Sequence, residues 1–298
     1  MSATTTQSAI PGPRKDLKVS AALGRRRHLA DVIIRGLCVA ATVIGLIFLA
    51  SILFTLVMKG LEALNLSLFT NVTAPPGSNG GLANAIVGSL IQVALGTLIG
   101  TPIGMLVGTY LAEYANGSKL GNLVRFVSDV LLSAPSILIG LFIYQIAVLP
   151  FGGFSGWAGV LALAVIVVPV VVRTTEDQLS LIPNTLREAV IGLGAPKWKM
   201  VVLVCWRSAL SGIATGVLLA IARIAGETAP LLFTSLGNNS WSLDMSAPMS
   251  SLPLAIYAYA GSPFPDWIAL AWSGALVITL GVLGLNIIAR VFLRGSSK

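Results

Sequence analysis

Charge is scarce in this sequence: 10% of its 298 residues are Asp, Glu, Lys or Arg, where a soluble domain carries about 25%. So few ionic groups cannot cover an apolar fraction of 55% with a water-facing surface. A mean hydropathy of +0.89 places the chain in the membrane class. Histidine is almost missing. His28 is the only one and stands in a basic N-terminal stretch, which argues against a histidine-built metal or catalytic centre. The two cysteines, Cys38 and Cys205, lie far apart in or beside apolar runs; they give no metal-ligand spacing and read as small packing residues. No Gly-x-x-x-x-Gly-Lys-Ser/Thr loop occurs, so the chain does not bind ATP in the P-loop manner. Nor does the net charge of +8 mark a nucleic-acid binder, because the basic residues lie between apolar runs and form no patch beside aromatics.

What is present is a series of long uncharged runs. A helix needs roughly 20 apolar residues to cross a bilayer. Gly36–Met58 meets that length and exceeds a signal-peptide core, Leu82–Ala112 follows, and Val130–Val172 is about twice one crossing. The turn-rich stretch Pro150-Phe151-Gly152-Gly153 cuts that run into two. Ser208 to about Leu236 and Trp267–Ala289 complete six predicted spans. With the N-terminus in the cytoplasm, seventeen of the nineteen basic residues fall on the cytoplasmic side, as the positive-inside rule requires. The expectation is an all-α, six-span bundle with both termini inside and membrane lipid around it.

Span two carries Gly96, Gly100, Gly104 and Gly108, one glycine every fourth residue on one helix face. Small residues at that spacing let two backbones approach in lipid, so they predict a packing seam. Pro102, Pro135 and Pro169 predict kinks in spans two, three and four. Between spans four and five, Thr185-Leu186-Arg187-Glu188 fits a capping box after Pro183, and Gly194-Ala195-Pro196 is a stop signal. A short helix with Leu186, Val190 and Leu193 on one face is thereby bracketed. A short amphipathic helix at that place docks into a partner, lies on the membrane, or is a plain surface linker.

Arg223 and Glu227 stand four residues apart inside span five, where a charge is expensive and the default reading is functional. The alternative is a structural ion pair that neutralises itself. A guanidinium cannot lose its proton and presents a fixed fork that suits an oxyanion. Glu227 can hold Arg223 while the path is empty, and Thr228 adds a donor. Glu176 and Asp177, beside Arg173, read as a solvated helix end that pairs locally or meets basic residues on a partner.

The stretch Glu188-Ala189-Val190-x-x-x-Gly194 resembles the EAA motif of ABC-importer permeases. The Leu-Pro that continues the family pattern is replaced here by Trp206-Arg207, and the motif's second alanine by Val190. Gly100-Thr101-Pro102-Ile103-Gly104, Tyr110-Leu111-Ala112-Glu113-Tyr114 and Ala222-Arg223-Ile224-Ala225-Gly226-Glu227-Thr228-Ala229-Pro230 resemble the PstA-type permeases of phosphate-specific (Pst) transporters. The resemblance covers about residues 80–293. It implies a type I importer permease fold, a non-catalytic subunit with no cofactor of its own, and a bacterial inner-membrane location. It also implies a coupling helix at about 184–195, with Arg187, Glu188, Ala189, Gly194, Ala195 and Pro196 in its docking segment. The implied partners are a PstB-like ATP-binding subunit, a PstC-like second permease and a PstS-like extracytoplasmic phosphate-binding protein. Residues 1–31 are then a disordered cytoplasmic tail, 32–58 the first span, 59–81 an extracytoplasmic loop and 82–293 the permease core. Two alternatives stand beside phosphate import: a related importer for molybdate or sulfate, and an ion-coupled secondary transporter. The second lacks the expected repeat of a broken helix.

Overall fold

The computed structural model describes residues 21–115 and 117–295. Residues 1–20 of the expected tail lie outside the described residues, and the rest of it is already helical. The chain divides into two compact units, residues 1–54 and 55–298. Most of α1 (Ala21–Glu62) belongs to the first, and its side chains from Gly24 to Phe54 are all exposed. The helix thus starts before residue 32 and ends beyond residue 58. No charge or breaker interrupts the apolar run, and the helix extends at each end through basic and polar turns that water can solvate.

The second unit is built from α2 (Ser67–Thr70), α3 (Ala83–Glu113), α4 (Lys119–Ser133), α5 (Ser136–Ile143), α6 (Gly156–Ser180), α7 (Asn184–Gly192), α8 (Lys197–Lys199), α9 (Trp206–Ala225), α10 (Ala229–Leu232), α11 (Leu252–Ala260) and α12 (Pro265–Gly295). In lipid every backbone polar group must be satisfied within the chain, so apolar runs of this length resolve as helices. Five helices are long and apolar enough to span a membrane: α1, α3, α6, the run from Lys197 to Ala225, and α12. The third predicted span is different. α4 and the stretch Ser136–Val148 meet at an angle of 106° about Ala134-Pro135, so Pro135 breaks the segment instead of kinking it. Ala134, the residue before proline, takes the extended conformation that proline imposes. Pro102 and Pro169 stay inside continuous helices.

The core is centred on α6. α3 lies parallel to it and meets it through the four glycines. A Cβ on Gly96 would stand 3.0 Å from the Leu163 Cβ, on Gly100 2.8 Å from that of Val167, on Gly104 2.6 Å from that of Val171, and on Gly108 2.7 Å from that of Thr175. α9 runs antiparallel to α6, with Gly212 against Gln178 and Gly216 against Thr174. Ile139, Ile166, Val167, Val170, Ala220 and Ile224 close one apolar cluster among α5, α6 and α9. Pro230 of α10 presses on Gly140 of α5, 2.6 Å from where its Cβ would be.

At one end of this unit, the expected loop of residues 59–81 is tied down. The Asn84 carboxamide accepts from Thr73 N at 3.2 Å and donates to Asn238 O at 2.8 Å, and Asp266 accepts from Gly77 N at 2.6 Å. The other end, formed by residues 109–125 and 176–200, carries Lys119, Arg125, Arg187, Lys197 and Lys199 and is called the basic end below.

Candidate functional site

Two arginines with acidic partners define two different places. Arg223 sits in the last turn of α9. Extending the antiparallel pairing of α9 with α6 brings it level with residues 166–167, the middle of α6, and the neighbouring Ile224 packs in the same cluster as Ile166 and Val167. The predicted span to Leu236 stops earlier than expected: α9 ends at Ala225 and Gly226–Thr228 form a break before α10. Glu227 and Thr228 therefore stand beyond the helix, not on its continuous face. The Arg223 Nε to Glu227 Oε1 distance is accordingly long, 3.9 Å, and the arginine side chain is 37% exposed. Among the described residues this guanidinium has one loose partner, and it stands open on the chain's own surface level with the middle of α6, with donors to offer.

Arg173 and Asp177 form a second exposed pair on α6 at 3.4 Å. Glu176 turns the other way and accepts from Arg125 Nε at 2.6 Å, while Arg125 Nη2 donates to Leu111 O at 3.0 Å. Asp177 is thus paired locally as expected, and Glu176 belongs to a longer-range link between α4 and α6.

The docking segment begins at Asn184 with Pro183 as its cap and no side-chain cap bond. The predicted capping box at Thr185 does not form, because the N-cap falls two residues earlier, at Pro183, and Thr185 lies inside the first turn. The stop is as predicted. Gly194 has φ +82°, Gly194 N donates to Ile191 O at 2.8 Å and Ala195 N to Val190 O at 3.4 Å, the two bonds of a Schellman motif. Glu188, Ala189, Gly194 and Pro196 are exposed and Ala195 half-buried, while Leu193 is 88% exposed. Val190 departs from the expected outer apolar face and packs inward against the cluster of Leu179, Met200 and Cys205.

Arg187 also turns inward, and all five of its N–H donors are engaged. Nε and Nη2 donate to Glu113 Oε1 at 3.1 and 2.8 Å, Nη2 to Leu179 O at 2.7 Å, and Nη1 to Asn184 Oδ1 at 3.2 Å and to Ile182 O. Hydrogen bonding to Glu113 raises the guanidinium pKa above its ordinary value, with burial acting against it. Two further groups grip the same turn of α3. Lys197 Nζ donates to Glu113 O and lies 4.5 Å from the centre of the Tyr114 ring, and Trp206 Nε1 donates to Thr109 Oγ1 at 3.0 Å. Glu113, Lys197 and Trp206 carried no site role in the sequence reading. Their partners lie 74 to 97 residues away in the chain, and the only signal was a lone carboxylate ending an apolar span. Among the described residues no group of His, Cys, Asp and Glu is arranged to hold a metal ion.

The described residues thus form a multi-span helical subunit with a parallel, glycine-notched helix pair and an exposed short helix between two spans. Residues 100–298 match the family described as the binding-protein-dependent transport system inner membrane component, and the chain belongs to that family. Within it the chain aligns with PstA-type permeases. It is 56% identical to the phosphate transport system permease protein PstA of Pasteurella multocida over 91% of this chain and 97% of that one. It is 55% identical to the PstA of Haemophilus influenzae over 90% and 94%, and 34% identical to PstA 1 of Mycobacterium tuberculosis over 97% and 96%. The fold is that of type I ABC-importer permeases. The MetNI methionine ABC transporter matches with TM-score 0.61 and 19% identity over 72% of this chain and 95% of that one. A bacterial alginate ABC transporter matches with TM-score 0.66 and 14% identity over 92% and 98%. The chain is thus a multi-pass membrane subunit of an ABC importer, and the secondary-transporter alternative falls with the family assignment.

Proposed function

We propose that this chain is a permease subunit of an ATP-driven importer of inorganic phosphate in a bacterial inner membrane, with both termini in the cytoplasm. The observation that carries the reading is Arg223: a guanidinium at mid-depth, open on the chain's surface, held by Glu227 at only 3.9 Å. Phosphate arriving there takes over a fork that Glu227 holds loosely, and Glu227 keeps the site weak enough to release its cargo. A second, PstC-like permease closes the open side of the path. The basic end faces the cytoplasm, which supports the orientation by the positive-inside rule. There the exposed helix α7 and Leu193 enter a cleft of a PstB-like ATPase, which supplies the ATP hydrolysis. The opposite end, tied together around Asn84, receives a PstS-like binding protein. The likeness to the phosphate transport permeases of Pasteurella multocida, Haemophilus influenzae and Mycobacterium tuberculosis favours phosphate over molybdate and sulfate.

The test is reconstitution of the full complex in vesicles with labelled phosphate and internal ATP. Uptake should need ATP and should resist a tenfold excess of sulfate or molybdate. Uptake that proceeds without ATP, or that either oxyanion displaces, overturns the reading.

A further inference from the structure

Arg187 lies next to Glu188 in the docking segment, yet it has nothing left to give a partner. Its five donors end on Glu113, Asn184 and the carbonyls of Leu179 and Ile182. Those acceptors belong to three separate pieces of chain: the last residue of α3, the end of α6 with the turn after it, and the first turn of α7. Leu179 O lies in the last turn of α6 and Ile182 O in the turn that follows, so a guanidinium bonded to both and to Glu113 couples the end of α6 to the end of α3. Lys197 and Trp206, on the far side of α7, close the same grip on Glu113 O and Thr109. The Glu113 side chain is 4% exposed and that of Arg187 16%. Breaking a pair this enclosed strands a charge, whereas a surface pair would let go at little cost.

We infer that Arg187 and Glu113 form a latch that makes α7 and the basic end of α3 one rigid body, so that a push on the docking face is delivered to α3 and not absorbed by the loops around α7. The inference rests on the proposed coupling role of α7. Arg187 is in this sense a positioning residue: it touches neither cargo nor ATPase and sets where the displacement goes. The sequence places it in the docking segment; the geometry separates it from the outward-facing Glu188 and Leu193.

The test uses the complete reconstituted complex carrying Glu113→Gln, Arg187→Gln or both. Glu113→Gln is close to isosteric and keeps a hydrogen-bond acceptor. Each single variant should keep its ATPase subunit through purification, since the outer face of α7 is unchanged. Phosphate imported per ATP hydrolysed should fall about tenfold. The double variant should be no worse than Arg187→Gln, because both substitutions remove one link. A shorter carboxylate, Glu113→Asp, should recover part of the ratio. Loss of the ATPase from the single variants overturns the latch and returns Arg187 to the docking face, and an unchanged import-to-hydrolysis ratio also overturns it. Glu188→Lys, run in parallel, separates this outcome from failure of the docking role itself: if it changes neither ATPase retention nor import, the coupling role of α7 fails first.

A second measurement needs neither substitution. In an otherwise unaltered complex, spin labels at the exposed positions Leu106 and Thr185 should keep their separation within about 2 Å between the nucleotide-free and the ATP-trapped states. A larger change means that α7 moves against α3, and no latch exists.

Discussion

Arg187 and Arg223 are both arginines with a carboxylate partner, and their surroundings assign them opposite tasks. Arg187 is enclosed, bidentate to Glu113 through one oxygen, and has every donor occupied. Arg223 is more than a third exposed, with a single partner among the described residues, at 3.9 Å. A saturated guanidinium is a fastener, because any new ligand must first displace bonds already made. An unsaturated one at mid-depth is costly as it stands, and an arriving oxyanion lowers that cost. Sequence position does not separate them; the count of free donors does.

The contrast can be broken experimentally. The largest effect is expected from Arg223→Ala: the complex assembles, but labelled phosphate uptake falls at least about a hundredfold, since two charge-assisted bonds are lost. Uptake near the unaltered rate would remove Arg223 from the path. Arg223→Lys keeps the charge and loses the fork, so uptake should recover only in part; full recovery would show that charge alone matters. Next comes the docking segment. Glu188→Lys, or Gly194→Asp with the left-handed backbone of Gly194 (φ +82°) strained by a side chain, should loosen the ATPase in co-purification or uncouple its hydrolysis from uptake. Retention and coupling at unaltered levels in both would count against α7 as the docking element. A structural effect should follow from Gly104→Ala. Its Cβ would stand 2.6 Å from that of Val171, an overpacking worth about 1–3 kcal/mol, and less folded protein should be recovered from detergent after mild heating. The smallest effect is expected from Glu227→Gln, which removes a weak holder: apparent affinity for phosphate should shift by a few-fold while assembly is untouched. An effect as large as that of Arg223→Ala would make Glu227 a partner equal to Arg223 and not its counterweight.

Much of the bundle was legible because hydrophobic length is a one-dimensional quantity. Five of the six predicted spans correspond to helices long enough to cross, and the glycine period of α3 names its packing face before any partner is known. The third span was hidden for a physical reason. Val130–Val172 is uncharged throughout, so composition could not reveal that Pro135 turns the chain by 106° and breaks the segment into α4 and the stretch Ser136–Val148. The end of α9 was misread for a similar reason: Gly226-Glu227-Thr228 is short enough to pass as helix, and only the loss of helical bonds marks the break. Arg223, Glu227 and α7 were visible as local patterns. The grip of Arg187, Lys197 and Trp206 on α3 was not, because each bond joins residues more than 70 positions apart and no local period encodes such a pairing.

The notched face between α3 and α6 limits where this molecule is free to bend. Four glycines in step with Leu163, Val167, Val171 and Thr175 set teeth about 6 Å apart. Sliding by any fraction of that spacing forces a branched side chain onto backbone. The two helices therefore behave as a single beam. The breaks at Ala134-Pro135 and at the three residues that separate Ala225 from Ala229 carry no such teeth.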